Sequence, residues 1–195
     1  MFIYNIILSI IKIFLKIFFP YKIKGLQNLN NLGKKVLICS NHVSNLDALF
    51  ICAGLNCKIY FLAKSELFKN FIVSYFLKKL GAISINRGSN DTKAINEAID
   101  VLNSGEFLGI FIEGTRSKTG KFLRPKSGAV IIACDTNSSI LPVCITPQNG
   151  KNVKIFSKTI ISFGEPIISV KLKEKSYKEI RNATEQIMNE IKCLR

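Results

Sequence analysis

The chain has 195 residues, 48% of them apolar, and a formal net charge of +15. That length suits one domain with at most a short appendage, and so apolar a composition excludes a disordered chain. The charge calls for anionic partners, but the lysines are scattered and come with no RRM, KH or helix-turn-helix signature, which argues against nucleic acid and leaves acidic carrier proteins and anionic lipid.

Residues 1–19 are mostly Ile, Leu and Phe, broken by Asn5, Ser9, Lys12 and Lys16. Lys12 and Lys16 are four apart, as are Asn5 and Ser9, so a helix here carries one narrow polar edge; Pro20 ends it. A cleaved signal would place its charges before the apolar run and small residues at a cleavage site, and this segment does neither. Two internal lysines favour a helix lying in the membrane interface over one that spans it, with a span, or partial burial in the protein's own core, as the alternatives. The expected organisation is therefore a membrane-associating helix at 1–20 and one domain at 21–195. This would hold the protein peripherally on the cytoplasmic face of the cell membrane.

The remainder alternates strand-like and helix-like segments. Strands are expected at 35–40, 58–63, 82–86, 106–112 and 140–146, with one or two more within 151–163 around a turn near Ser157-Lys158. Helices are expected at 46–55, at 65–80 (Ser65 capping, Gly81 stopping), from Asn90 or Asp91 to 103, and at 126–135. A final amphipathic helix covers 176–191, where Ser176 and Glu179 have capping-box spacing. Residues 113–125 read as a polar loop. This alternation predicts an α/β fold with a largely parallel central sheet flanked by helices, whose sites form in loops beyond the strand carboxyl ends. The six cysteines lie mostly in apolar stretches without a C-x-x-C pair, and read as small buried residues rather than metal ligands.

Three of those loops carry polar groups. The first holds His42, the only histidine. Imidazole takes and gives a proton near neutral pH, and Asp47 follows five residues later. Across a regular helix the two would lie about 140° apart. A turn before a helix that starts near Asp47 would bring them together as base and orienting carboxylate; a simple helix-start turn is the plain alternative. No G-x-S-x-G elbow accompanies Ser40 or Ser44, which disfavours an acyl-serine. The second loop begins with Arg87 beside Gly88, suited to bidentate contact with a phosphate. The third is Glu113-Gly114-Thr115-Arg116-Ser117: an acceptor, a glycine permitting close approach, and donors for an anion.

Asn41-His42-x4-Asp47, the strand-like Gly81 to Arg87, Phe111-Ile112-Glu113-Gly114-Thr115-Arg116-Ser117 and Leu141-Pro142-Val143 occur in the order found in glycerophospholipid acyltransferases. Lys126-Ser127-Gly128 and Phe163-Gly164-Glu165-Pro166 add to this pattern. Together they resemble that family, and within it the 1-acyl-glycerol-3-phosphate acyltransferases. One departure is Ile112, where the family usually has proline. The resemblance implies transfer of an acyl chain from acyl-CoA or acyl carrier protein to the 2-hydroxyl of lysophosphatidic acid. It implies His42 as base and Asp47 as its orienting partner. Arg87, Glu113 and Arg116 would hold the glycerol phosphate, with Gly114 and Thr115 in the same loop and Gly114 near the developing oxyanion. No metal or redox cofactor is implied. Glycerol 3-phosphate or another lysolipid as acceptor, and a non-catalytic lipid-binding protein, remain as rival readings.

Overall fold

The computed structural model describes residues 2–30, 32–86, 91–168 and 176–195. Among these, seven strands form one sheet: β1 (Tyr21–Lys24), β2 (Val36–Ser40), β3 (Ile59–Lys64), β4 (Ala82–Ile85), β5 (Phe107–Phe111), β6 (Ser139–Pro147) and β7 (Thr159–Phe163). Their order is β1-β7-β6-β2-β5-β3-β4. The strands from β6 to β4 run parallel, while β7 pairs antiparallel with β6 and carries β1 along in its own direction. The expected α/β architecture with a largely parallel sheet is the one found.

β2 explains the layering. All five of its residues are buried, as a central strand covered on both faces requires. Val36 and Ile38 pack into one core with α1 (Phe2–Phe18) and α2 (Asp47–Leu55). Leu37 and Cys39 pack into the other with α4 (Thr92–Asn103), α5 (Gly128–Thr136) and α6 (Tyr177–Cys193). α3 (Phe71–Lys79) lies on the first side, where Leu80 joins the core beside Phe50 and Phe61.

One expected helix is broken in two, while the other elements below agree with expectation. Residues 65–80 are not one helix: Ser65–Phe68 is a 3-10 turn, and Asn70 starts a fresh helix by accepting the Val73 N–H at 3.1 Å. Within 151–163 only β7 is a strand, preceded by a turn in which Ser157 N–H donates to Lys154 O. Asp91 caps α4 by accepting the Ala94 N–H at 3.2 Å, and Asn90 lies outside the described residues. Both halves of the Ser176–Glu179 capping box are formed.

The N-terminal segment does form a helix. Tyr4, Leu8 and Leu15 of α1 are buried, and Tyr4 OH donates to Cys57 O at 2.7 Å. Lys12 reaches Asn56, just past the end of α2, at 2.7 Å, so part of the polar edge faces protein. Ile6, Ile10, Ile13 and Ile17 are 45–61% exposed, which leaves a second face without protein cover. Among the described residues, no helix is long and apolar enough to cross a membrane.

Candidate active site

β2 ends at Ser40 in the middle of the sheet, and the chain leaves the strand there. Asn41 fastens the departing segment to the neighbouring strand: its Nδ2 donates to Ile145 O at 2.9 Å, and its Oδ1 accepts from Ile145 N at 2.8 Å. On the other side Ile112 N–H donates to Ser40 O at 3.0 Å and Ser117 N–H to His42 O at 2.8 Å. The loop after β2 is thus tied to both flanking strands.

His42 Nδ1 donates to Asp47 Oδ2 at 2.8 Å. The five-residue spacing closes through a turn and not across a helix, because Asp47 is the first residue of α2. The same Oδ2 accepts the N–H groups of Val43 at 2.7 Å and Ser44 at 2.8 Å, so the carboxylate builds the turn that presents it to the imidazole. Asp47 is fully buried. The ring of His42 stacks on Phe111 with centroids 3.9 Å apart and planes 8° from parallel, which fixes its orientation.

The loop after β5 supplies the second wall. Gly114 sits at φ +70°, and its N–H donates to Phe111 O at 2.9 Å to close the turn. A Cβ there would come within 2.9 Å of Cδ and Cε of Lys126, whose side chain lies over the glycine. Gly114 therefore serves loop shape, and its N–H is occupied. Thr115 and Arg116 are exposed, and Arg116 Nη1 donates to Asn45 Oδ1 at 2.7 Å. Ser117 Oγ donates to Lys121 O at 2.6 Å.

Glu113 is placed differently from its loop neighbours. It is 2% exposed, accepts the Leu123 N–H at 3.2 Å and lies against the backbone N–H of His42. Burial pushes its carboxyl up to about 7, only partly opposed by those N–H groups. A native carboxyl that holds its proton more tightly than the unfolded chain contributes stability that is full below the ordinary value of 4.5 and is lost as pH rises through about 7. We expect Glu113→Gln to abolish a stability decline of about 3 kcal/mol across that window, measured by urea unfolding at a series of pH values. Parallel pH profiles for the two proteins would overturn this.

A cavity of about 390 Å³ borders His42, with Asp47 buried behind it, and lies within the range typical of small-molecule sites. Its apolar wall includes Leu8 and Ile11 of α1, Leu49 of α2 and Leu77 of α3. Its polar residues are His42, Asn45, Lys64 and Arg116. The structure thus brings His42, Asp47 and Arg116 together, leaves Thr115 at the surface and places Glu113 beneath the His42 turn. Arg87 lies outside the described residues. Asn45 and Lys64 were not expected at the site. Lys64 ends β3, so the rule that directed attention to other strand carboxyl ends applied equally to it. Among the described residues, no group of three or more His, Cys, Asp or Glu side chains is arranged to hold a metal ion.

Comparison with known proteins gives a consistent result. The profile of the acyltransferase family matches residues 21–146. The chain is 35% identical over 169 residues to a 1-acyl-sn-glycerol-3-phosphate acyltransferase of Borreliella burgdorferi, covering 83% of this chain and 67% of that protein. It is 29% identical over 189 residues to the Bacillus subtilis protein of the same name, covering 96% and 94%. The crystal structure of the 1-acyl-sn-glycerophosphate acyltransferase PlsC from Thermotoga maritima superposes with a TM-score of 0.74 at 26% identity, over 98% of this chain and 79% of that one. With the family profile spanning well over half of its length, and a fold and relatives to match, the chain belongs to the acyltransferase family.

Proposed function

We propose that the protein transfers an acyl chain from a thioester, acyl-CoA or acyl carrier protein, to the 2-hydroxyl of lysophosphatidic acid, forming phosphatidic acid for phospholipid synthesis. The observation that carries this reading is the buried, hydrogen-bonded His42–Asp47 pair at the wall of an apolar cavity that also presents Arg116. Asp47 occupies Nδ1, leaving Nε2 to take the proton of the acceptor hydroxyl. The alkoxide forms a bond to the thioester carbonyl carbon; the tetrahedral intermediate collapses, the C–S bond breaks, and the thiolate takes the proton back from the imidazolium. Asp47 supports the charge on the ring while it is protonated. The apolar wall accommodates an acyl chain, and Arg116 and Lys64 offer positive charge to the acceptor phosphate. Glu113 acts on the glycerol site through the His42 backbone that it supports.

The acceptor and both donors are anionic, which suits the strongly basic chain. The exposed apolar face of α1 holds the enzyme peripherally on the cytoplasmic leaflet, where an anionic surface attracts its lysines.

The test is thiol release from acyl-CoA and from acyl carrier protein, each with lysophosphatidate, glycerol 3-phosphate or no acceptor. Stimulation by lysophosphatidate is expected with at least one donor; its absence with both donors overturns the reading, and a preference for glycerol 3-phosphate reassigns the acceptor. By the family resemblance Arg87 contacts the phosphate, so Arg87→Ala is expected to raise the acceptor KM by about tenfold or more with little change in kcat. An unchanged KM removes Arg87 from the site.

A further inference from the structure

α3 is a helix without a buried residue. Phe71 is 84% exposed, Ile72 66%, Tyr75 54% and Phe76 50%. At about 100° per residue these four sweep an arc of roughly 140°, and Leu67 at 50% exposure extends it on the preceding turn. Large apolar side chains in one contiguous patch mark an interaction surface on a soluble protein.

Two observations identify what covers it. The first is position. Leu77 and Leu80 line the same cavity as Leu8 and Ile11 of α1, so α3 and α1 flank one opening on the same side of the sheet. The exposed faces of α3 and α1 thus belong to two helices that stand beside one opening on the same side of the sheet. The second is charge. Lys69, Lys78 and Lys79 bracket α3; the nearest acid along the chain, Glu66, is paired with Lys64 at 2.7 Å, and Glu97 and Glu106 lie towards the C-terminal end of the helix, across shallow pockets from Lys78. Lys79 lies 5.6 Å from the centre of the Tyr75 ring, an amphipathic pair of the kind that sits at headgroup level. An apolar face rimmed by cations matches an anionic phospholipid surface.

We infer that α3 is a second membrane-docking element, inserted in the plane of an anionic bilayer beside α1, so that lipid substrate enters the cavity between the two helices directly from the leaflet. Nine residues are about 13 Å of helix, enough to lie in the interface and too short to cross it. The inference rests on the proposed membrane reading and extends it to an element outside the N-terminal segment.

The chain has no tryptophan, which makes the test direct. Phe14→Trp on α1, Phe71→Trp on α3 and Ile131→Trp on α5 each introduce a single fluorophore. Each full-length protein is mixed with phosphatidylglycerol/phosphatidylcholine vesicles bearing brominated acyl chains. Blue shift and quenching are expected for Phe14→Trp and Phe71→Trp and not for Ile131→Trp. Quenching of Phe14→Trp alone overturns the role of α3 and keeps that of α1; quenching of neither overturns the membrane reading itself. Sedimentation of a dimer that Phe71→Ser/Tyr75→Ser dissolves, with no quenching at position 71, would assign the patch to a second copy instead. The same double variant is expected to bind vesicles at least about tenfold more weakly. It should retain turnover of a short-chain, water-soluble lysophosphatidate without vesicles, and undiminished vesicle binding overturns the proposal.

Discussion

His42→Ala is expected to lower kcat for acceptor-dependent thiol release by about a thousandfold, with the acceptor KM changed by no more than about twofold. A positioned general base contributes roughly 10²–10⁴ in rate, and a thousandfold is about 4 kcal/mol of transition-state stabilisation. The chain holds no other histidine to take over. KM is spared because the phosphate contacts come from other side chains, and loss restricted to kcat marks an interaction realised only in the transition state. Asp47→Asn is expected to fall about a hundredfold or more, since an amide leaves the imidazolium without its counter-charge. Steady-state kinetics on proteins with matched unfolding curves make the comparison. A His42→Ala protein within tenfold of wild type would remove the imidazole from the chemistry.

Asp47→Ala is expected to cost about 3–5 kcal/mol of folding stability, well beyond Asp47→Asn. One oxygen of this buried carboxylate satisfies the imidazole and the backbone N–H groups of Val43 and Ser44. Alanine leaves those donors without their acceptor inside the protein, at about 1–3 kcal/mol each. Asparagine keeps an acceptor in place for the two backbone donors, so its loss should be nearer 1 kcal/mol. Urea unfolding at pH 7 distinguishes them. With net stabilities of about 5–15 kcal/mol typical of such domains, the alanine protein should be visibly compromised. Equal stability of the two variants would mean that the carboxylate orients the base without holding up the turn.

The central strands β2 and β6 were legible because they are buried on both faces and read as short apolar runs beside polar loops. The His42–Asp47 pair was legible in part: its five-residue spacing rules out pairing across one regular helix, while only the fold shows that the turn before α2 closes the two together. β1 was not: four residues alternating in exposure acquire strand character only from pairing with β7, at Tyr21↔Thr159, far along the chain. The break before α3 was hidden because apolar periodicity runs across it, and only the Asn70 cap reveals the restart. The site was legible to the extent that motif residues face the cavity. Glu113 shares a loop with Arg116 yet lies under the His42 backbone, and no spacing distinguishes an outward residue from an inward one in an irregular segment. Lys64 and Asn45 join the site through the packing of α2 and β3 around the cavity.

The double fastening of the loop after β2 divides the molecule by how it can yield. Asn41 is bonded to β6, and Ser40 and His42 accept from residues at and just beyond the end of β5, so releasing the imidazole from its place means parting the middle of the sheet. In amide exchange, the Ile145 and Ser117 protons belong with those that are lost only when the whole domain opens. The apolar wall, by contrast, includes α1 and α3, each of which also carries an exposed apolar face. Accommodating substrates of different bulk is therefore work for the helical side of the cavity, while the base stays at one fixed height above the sheet.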